Sequence, residues 1–232
     1  MLPGEDGSDA SDGFEIENEV CMKITVIGAS RGTGALAVSE ALRRGHQVTA
    51  FARSPQKLNM DDEKLTLLAG DFHIQADVDR AVEGQDAVIV TASATTLKGF
   101  KENPYYFSKG TDHVISSMER YGMRKLVVLS ALGVGDSRKA MGFIVRKLLI
   151  DGILRRPFED HGRQEELVRK SNLDWVIARP GRLTDGPALG KTVKSTTLAP
   201  MPGAISRADL AAFLVEAAEQ DKWNRNAVHL GG

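Results

Sequence analysis

The sequence predicts a doubly wound, Rossmann-like parallel α/β sheet in a single domain, with a small C-terminal elaboration. Three observations carry this. Short apolar runs recur along the chain, and longer segments with helical spacing separate them. The first run, Ile24 to Ile27, stops at Gly28 and opens into a glycine-rich turn followed by an alanine-rich segment. No internal repeat and no linker divides the 232 residues, a length that buries a full core as one unit.

Residues 23–34 organise the rest. Strand, glycine turn (Gly28, Gly32, Gly34) and a helix over Ala35–Arg44 form the opening of a dinucleotide-binding unit. Gly28 permits a tight turn that a side chain would obstruct. Gly32 lets the backbone approach a pyrophosphate, and Gly34 lets the helix pack on the strand. The helix N-terminus offers N–H groups and partial positive charge to phosphates. Ser30, Arg31 and Thr33 lie in the same turn and count with it as cofactor-binding candidates.

The second strand is Gln47–Ala52, ending in Arg53-Ser54-Pro55 with Lys57 close behind. A site that binds NAD holds its ribose 2′-hydroxyl with an acid about 20 residues beyond the glycines. No acid occurs between Glu40 and Asp61, and Arg53 stands near the expected place. Arg53 and Arg31 suit a 2′-phosphate through bidentate charge-assisted bonds, so NADP(H) is the expected cofactor.

Leu65–Ala69 is the third strand. Asp71 and Phe72 after it suit the binding and flanking of an adenine; an Asp at this place also suits a helix cap. Gln75–Glu83 reads as a helix and Asp86–Thr91 as the fourth strand. Thr91, Ala92 and Ser93 are small residues that leave room for the cofactor ribose at a strand's carboxyl end. A loop over 95–107 precedes a helix over Ser108–Tyr121. Lys125–Ser130 is the fifth strand. Residues 140–171 read as helical with a break near Pro157, their apolar positions (Phe143, Ile144, Leu148, Leu149, Ile153, Leu154) interleaved with Arg146, Lys147, Arg155 and Arg156. Such a helix can lie on a membrane, but covers a core or substrate pocket more often. Asp174–Ala178 is the sixth strand, with Arg179-Pro180-Gly181-Arg182 turning off its end. Lys191–Thr197 alternates like a late strand. Ser206–Glu219 is a helix with Ser206 as N-cap and Asp209 at N3, and Asn226–Leu230 is the last strand.

Composition narrows the function. The net charge of −1 hides an asymmetry: residues 1–20 hold seven acids and no Lys or Arg. Taking those seven from the 31 acids leaves residues 21–232 at +6 against 30 Lys and Arg. Residues 1–21 read as a disordered acidic leader and 22–232 as the folded domain. A mildly basic body without an aromatic-interleaved basic stripe suits a polyanionic cofactor rather than nucleic acid. No apolar run approaches the ~20 residues of a membrane span. One cysteine, Cys21, fits a reducing compartment, and the expected location is cytoplasmic. The expected assembly is a monomer or weak homodimer.

The segments Val26–Gly34, Gly70-Asp71, Gly84–Val90, Val127–Ser130, Arg179–Gly181 and Ile205–Leu210 resemble the atypical short-chain dehydrogenase/reductase superfamily. The resemblance covers about residues 22–232. It is greatest to the NAD(P)H-binding branch that holds biliverdin-IXβ/flavin reductases and nitrogen-metabolite-repression regulators. That branch commonly spaces its glycines G-x-x-G-x-x-G, whereas Arg31 and Gly32 here give a spacing closer to the tyrosine–lysine dehydrogenases. The biliverdin/flavin reductases carry a histidine just after the proline of the sixth strand's turn; here Gly181 and Arg182 follow Pro180. Pro180 and Gly181 are retained as cofactor-side candidates.

Tyrosine–lysine dehydrogenases protonate a carbonyl with a Tyr four residues before a Lys, beyond the fifth strand. Tyr105 and Lys109 have the spacing but precede that strand, and no tyrosine follows Tyr121. The pair therefore reads as coincidental. Ser130 remains as the catalytic candidate, a single hydrogen-bond donor, with the cations Arg138, Lys139 and Arg182 nearby; His161 reads as a partner of neighbouring acids. A site without a strong acid suits an acceptor that takes hydride first and a proton from water later, such as a flavin, quinone or tetrapyrrole. The expected function is an NADPH-dependent reductase of such a small molecule. A catalytically weak, NADP(H)-binding redox-sensing regulator is the alternative, and a sugar-nucleotide epimerase-like enzyme ranks third.

Overall fold

The computed structural model describes residues 21–92, 103–140, 142, 152, 154–197 and 203–232. Residues 1–20 of the acidic leader, Ser93, and the apolar and basic positions from Phe143 to Ile153 lie outside these residues.

Strand β1 (Lys23–Ile27) lies between β2 (Gln47–Ala52) and β4 (Ala87–Val90), parallel to both. Beyond β2 lies β3 (Leu65–Ala69). Beyond β4 come β5 (Lys125–Leu129), β6 (Asp174–Pro180), β10 (Asn226–Gly231) and β8 (Val193–Ser195). The order is β3-β2-β1-β4-β5-β6-β10-β8, with only β8 antiparallel. The chain leaves β1 toward β2 and β3, then returns across the sheet to β4. The β1/β4 boundary is therefore the topological switch point, outside whose carboxyl ends such sheets bind ligands.

Alternation along the strands sorts the core into two layers. Ile24 and Val26, Ala87 and Ile89, and Val176 and Ala178 face α1 (Gly32–Arg43) and α5 (Arg207–Glu219). Ile27, Val88, Val90, Trp175 and Ile177 face α2 (Gln75–Val82), α3 (Tyr106–Arg120) and α4 (Arg155–Lys170). Both faces of the sheet are covered, as the apolar strands require. Among the described residues, no helix is long and apolar enough to cross a membrane.

Several boundaries differ from the sequence reading for physical reasons. Helix α1 begins at Gly32 rather than Ala35, so two of the glycines belong to its first turn. Helix α3 begins at Tyr106, ahead of Ser108, because its cap comes from another helix. The buried Asp160 of α4 accepts the Phe107 N–H at 2.6 Å and the Ser108 hydroxyl at 2.5 Å. Helix α4 begins at Arg155, so Pro157 lies at its start, and most of the residues from 141 to 153 expected to be helical before it lie outside the described residues. Pro157 sits in the first turn, where a missing N–H costs nothing. Strand β6 runs on through Arg179 and Pro180. A two-stranded ladder of β7 (Leu183–Thr184) and β9 (Ile205–Ser206) was not anticipated. The capping pair formed as expected: the Asp209 N–H donates to Ser206 Oγ at 2.9 Å, while its carboxylate also accepts the N–H groups of Leu189 and Gly190.

Candidate functional site

The switch-point cleft is built by the turn after β1. Gly28 takes φ +89, and a Cβ there would lie 2.7 Å from the backbone nitrogen of Ala92, at the exit of β4. A Cβ on Gly34 would lie 2.3 Å from the carbonyl oxygen of Gly28. Gly34 is therefore where α1 presses against the turn. Gly32 differs: it takes φ +57 but has open space beside it.

Over this turn opens a cavity of about 590 Å³. The β1 turn (Gly28, Ser30, Arg31), the β2 exit (Phe51 to Ser54, then Lys57) and the β3 exit (Gly70, Asp71, Phe72) line it, with Ala92 and Tyr106. Three cations and one carboxylate border one space, beside the first-turn N–H groups of α1, which have no intrahelical acceptor. Burial raises the Tyr106 phenol above its ordinary value; the Arg53 charge opposes this, Asp71 adds to it, and Arg31 opposes it. Phe72 is buried, and its ring nests on α3 because residue 110 is glycine: a Cβ there would lie 2.0 Å from Phe72 Cε1. Asp71 Oδ1 accepts the His73 N–H at 2.9 Å, and the Asp71 N–H donates to Asp77 at 2.8 Å.

Eight of the residues singled out from sequence therefore border one cavity: Gly28, Ser30, Arg31, Arg53, Lys57, Asp71, Phe72 and Ala92. Gly32, Thr33 and Gly34 form the helix start behind it. Thr91 does not open onto the cavity; it is buried, and its hydroxyl donates to the Ile27 carbonyl at 2.9 Å. Ser93 lies outside the described residues. Pro180 and Gly181 brace neighbouring strand exits, the Pro180 carbonyl accepting the Leu132 N–H and the Gly181 N–H donating to Leu230.

Ser130 is placed differently from its expected role. It is 4% exposed, and its hydroxyl donates to Glu165 at 2.7 Å. Glu165 also accepts Arg179 Nε at 2.9 Å and Nη2 at 2.5 Å, and Arg179 pairs with Asp136 at 2.7 Å. The one proton of Ser130 is thus committed inside a buried ionic cluster. Above that cluster is a second cavity of about 470 Å³, between the β5 exit (Gly133 to Gly135, Arg138) and α4 (Arg155, Phe158, Glu159, Gly162). Tyr105 and Lys109 face a separate groove between α3 and α4 with Arg163 and Glu166, away from the main cavity. His161 is not bonded to the neighbouring acids: its Nδ1 meets Gln164 at 2.8 Å and its ring stacks on Phe107.

Sequence reasoning missed Tyr106, His73, Gly110 and Glu165. Tyr106 adjoins Tyr105, which carries the Tyr–Lys spacing. His73 follows the Asp-Phe pair by one position. Glu165 and Gly110 carried no local signal.

A model of the family described as NAD(P)H-binding matches residues 28–221. An uncharacterized chloroplastic protein of Arabidopsis thaliana is 28% identical over 93% of this chain and 79% of its own length. Among solved structures, a short-chain dehydrogenase/reductase of Veillonella parvula in complex with NADP superposes with a TM-score of 0.76 at 17% identity, over 92% of this chain and 95% of that one. An anaerobillin reductase of Escherichia coli O157:H7 gives 0.74 at 24% identity, over 90% and 96%.

Proposed function

This chain belongs to the family described as NAD(P)H-binding, and from that premise we propose that it is an NADPH-dependent reductase of a conjugated small-molecule acceptor. The observation that carries the reading is one cavity that joins the Gly28–Gly34 turn to Arg31, Arg53 and Lys57. The fit to a dinucleotide rests on the turn itself, where side chains at 28 and 34 would collide with backbone and at 32 would not.

In this reading the turn and the α1 N-terminus hold the pyrophosphate. Arg53, with Arg31 and Lys57, holds the 2′-phosphate. Asp71, Phe72 and Tyr106 border the adenosine end. Bound NADPH supplies a hydride. The acceptor enters the second cavity, beside Arg138 and Phe158. Ser130 has no proton to offer there while Glu165 holds it. Water then supplies the acceptor's proton, which suits flavins, quinones and related tetrapyrroles rather than simple ketones.

The test is to mix purified protein with NADPH and a panel of flavins, quinones, tetrapyrroles and ketones, following the nicotinamide absorbance. Turnover of the conjugated acceptors, with ketones inert, is the expected result. Oxidation no faster than in protein-free controls would remove the reductase reading. The committed Ser130 proton also supports a second reading, a redox-sensing regulator: selective NADP(H) binding with no turnover of any acceptor would identify it.

A further inference from the structure

We propose that Arg179 and His229 form a buried anion subsite behind the second cavity, which takes a carboxylate of the acceptor in exchange for Asp136. The proposal rests on the reading of that 470 Å³ cavity as the acceptor's place.

Two nitrogens carry it. Arg179 and His229 are register partners on the neighbouring parallel strands β6 and β10, so their side chains leave the same face of the sheet. Val176 and Ala178 face α1 and α5, so Arg179 faces the other way and meets Glu165 of α4. The two residues are 0% and 2% exposed. Arg179 Nη1 and His229 Nδ1 are both buried, and neither has a hydrogen-bond partner. Buried polar atoms are nearly always satisfied. Two bare ones on adjacent side chains therefore call for a polar group from outside the chain.

The guanidinium is used unevenly. Glu165 takes the Nε and Nη2 edge through both of its oxygens. The other fork is Nη2 with Nη1. Asp136 holds its Nη2 half at 2.7 Å, and Nη1 is left over. A ligand carboxylate spans both nitrogens of such a fork. His229 in its neutral form, with the proton on Nδ1, adds a third donor, so its charge need not change.

Charge balance sets which group gives way. Two carboxylates already face Arg179, so an incoming anion replaces one of them. Glu165 is buried and also held by Ser130. The Asp136 side chain is 67% exposed, so it can turn out to water. Gly135 joins the fork to the cavity: it lines the cavity, and a Cβ on it would lie 3.0 Å from Arg179 Nη2. Phe158 of α4 lines the same cavity. An aromatic or conjugated acid fits this arrangement, with its ring beside Phe158 and its carboxylate on Arg179.

The probes are benzoate and its neutral counterpart benzamide, titrated into the full chain by ligand-observed NMR. Wild type should bind benzoate at least about fivefold more tightly than benzamide, the scale of one net charge-assisted bond. Asp136→Ala should tighten benzoate by a further factor of about ten and leave benzamide unchanged, because no carboxylate competes for the fork. Arg179→Gln should erase the preference. Should that variant not fold, a crystal of wild type soaked in benzoate decides. A carboxylate on Nη1 and Nδ1 with Asp136 turned away supports the subsite. Benzoate on Arg138 or Arg155 alone, or a water on the two nitrogens with Asp136 in place, overturns it. Equal binding of the two probes in wild type and in Asp136→Ala overturns it as well, whether or not quinones are reduced. Quinone turnover decides the reductase reading separately: benzoate on Arg179 in a protein that reduces no acceptor would keep the subsite and remove that reading.

Discussion

The Ser130 hydroxyl donates to the Glu165 carboxylate across 2.7 Å, and both side chains are buried. The strand-end serine that the sequence offers as a catalyst therefore works first as a peg. It holds the carboxylate that neutralises Arg179, a guanidinium with no exposed surface.

Glu165→Gln should destabilise the fold by up to about 3 kcal/mol, because it removes the buried counter-charge of Arg179 and leaves only the exposed Asp136 to pair with it. Ser130→Ala should cost about 1 kcal/mol, since Arg179 still satisfies Glu165. Urea unfolding checks the order of the two. Ser130→Ala should also keep turnover within about threefold of wild type, far from the ~10²-fold loss of a donor aimed at developing charge. A hundredfold loss would restore Ser130 as a donor.

The three glycines should rank by geometry rather than by motif position. Gly28→Val and Gly34→Val place atoms against backbone and should abolish cofactor binding. Gly32→Ala meets open space and pays only the left-handed backbone term of about 1–2 kcal/mol. Calorimetry with NADPH on the folded variants measures this, and equal losses at all three positions would contradict it.

NADPH should be preferred over NADH by at least about tenfold, or ~1.4 kcal/mol. Arg53→Ala should weaken NADPH and leave NADH nearly unchanged, with Arg31→Ala acting the same way more weakly. Equal losses for both cofactors would assign these arginines to the pyrophosphate or to the fold.

The two adjacent tyrosines should behave oppositely. Tyr105→Phe and Lys109→Ala, on the outer groove, should leave turnover within a few-fold. Tyr106→Ala should raise the dissociation constant of the cofactor by removing a cavity wall. Because the Tyr106 phenol is held above its ordinary value, the pH–rate profile should show no tyrosine limb near neutrality. Collapse of turnover in Tyr105→Phe with binding intact would place the outer tyrosine at the reaction centre.

Stability should fall on acidification from pH 7 to pH 5. Burial holds the His161 ring below its ordinary value, against the pull of Gln164, Asp160 and Glu165. The unfolded chain then binds the proton first. This contribution is complete above the unfolded value near 6.5 and declines as pH falls below it. His229, lowered by burial and by the Arg179 charge, acts in the same direction. Carboxylates such as Asp209, held below their ordinary range, lose their contribution only at lower pH. Urea midpoints against pH for wild type and His161→Gln test this: the acid loss should be smaller in the variant.

The sheet was legible because its signals are local. A strand buried on both faces must be a short apolar run, and a turn that presses α1 against its own strand must have glycine at 34. These requirements act between residues a few positions apart, so β1 to β6, the cleft at their carboxyl ends and the cations Arg31, Arg53 and Lys57 were all readable from order and spacing. The Ser206/Asp209 cap belongs with them, since its partners are three positions apart.

Tertiary packing alone decided where several side chains point. Ser130 meets Glu165 across 35 positions, Ser108 meets Asp160 across 52, and His73 meets the Tyr106 carbonyl across 33. No periodicity encodes these meetings, because they exist only once α3 and α4 lie on the sheet. That docking turned Ser130 from an expected donor into a partner of a buried carboxylate. It put Tyr106 on the cavity wall and left Tyr105 outside. A residue type and its place in a strand set what a side chain can do; the elements packed over it determine which of its atoms remain available to a ligand.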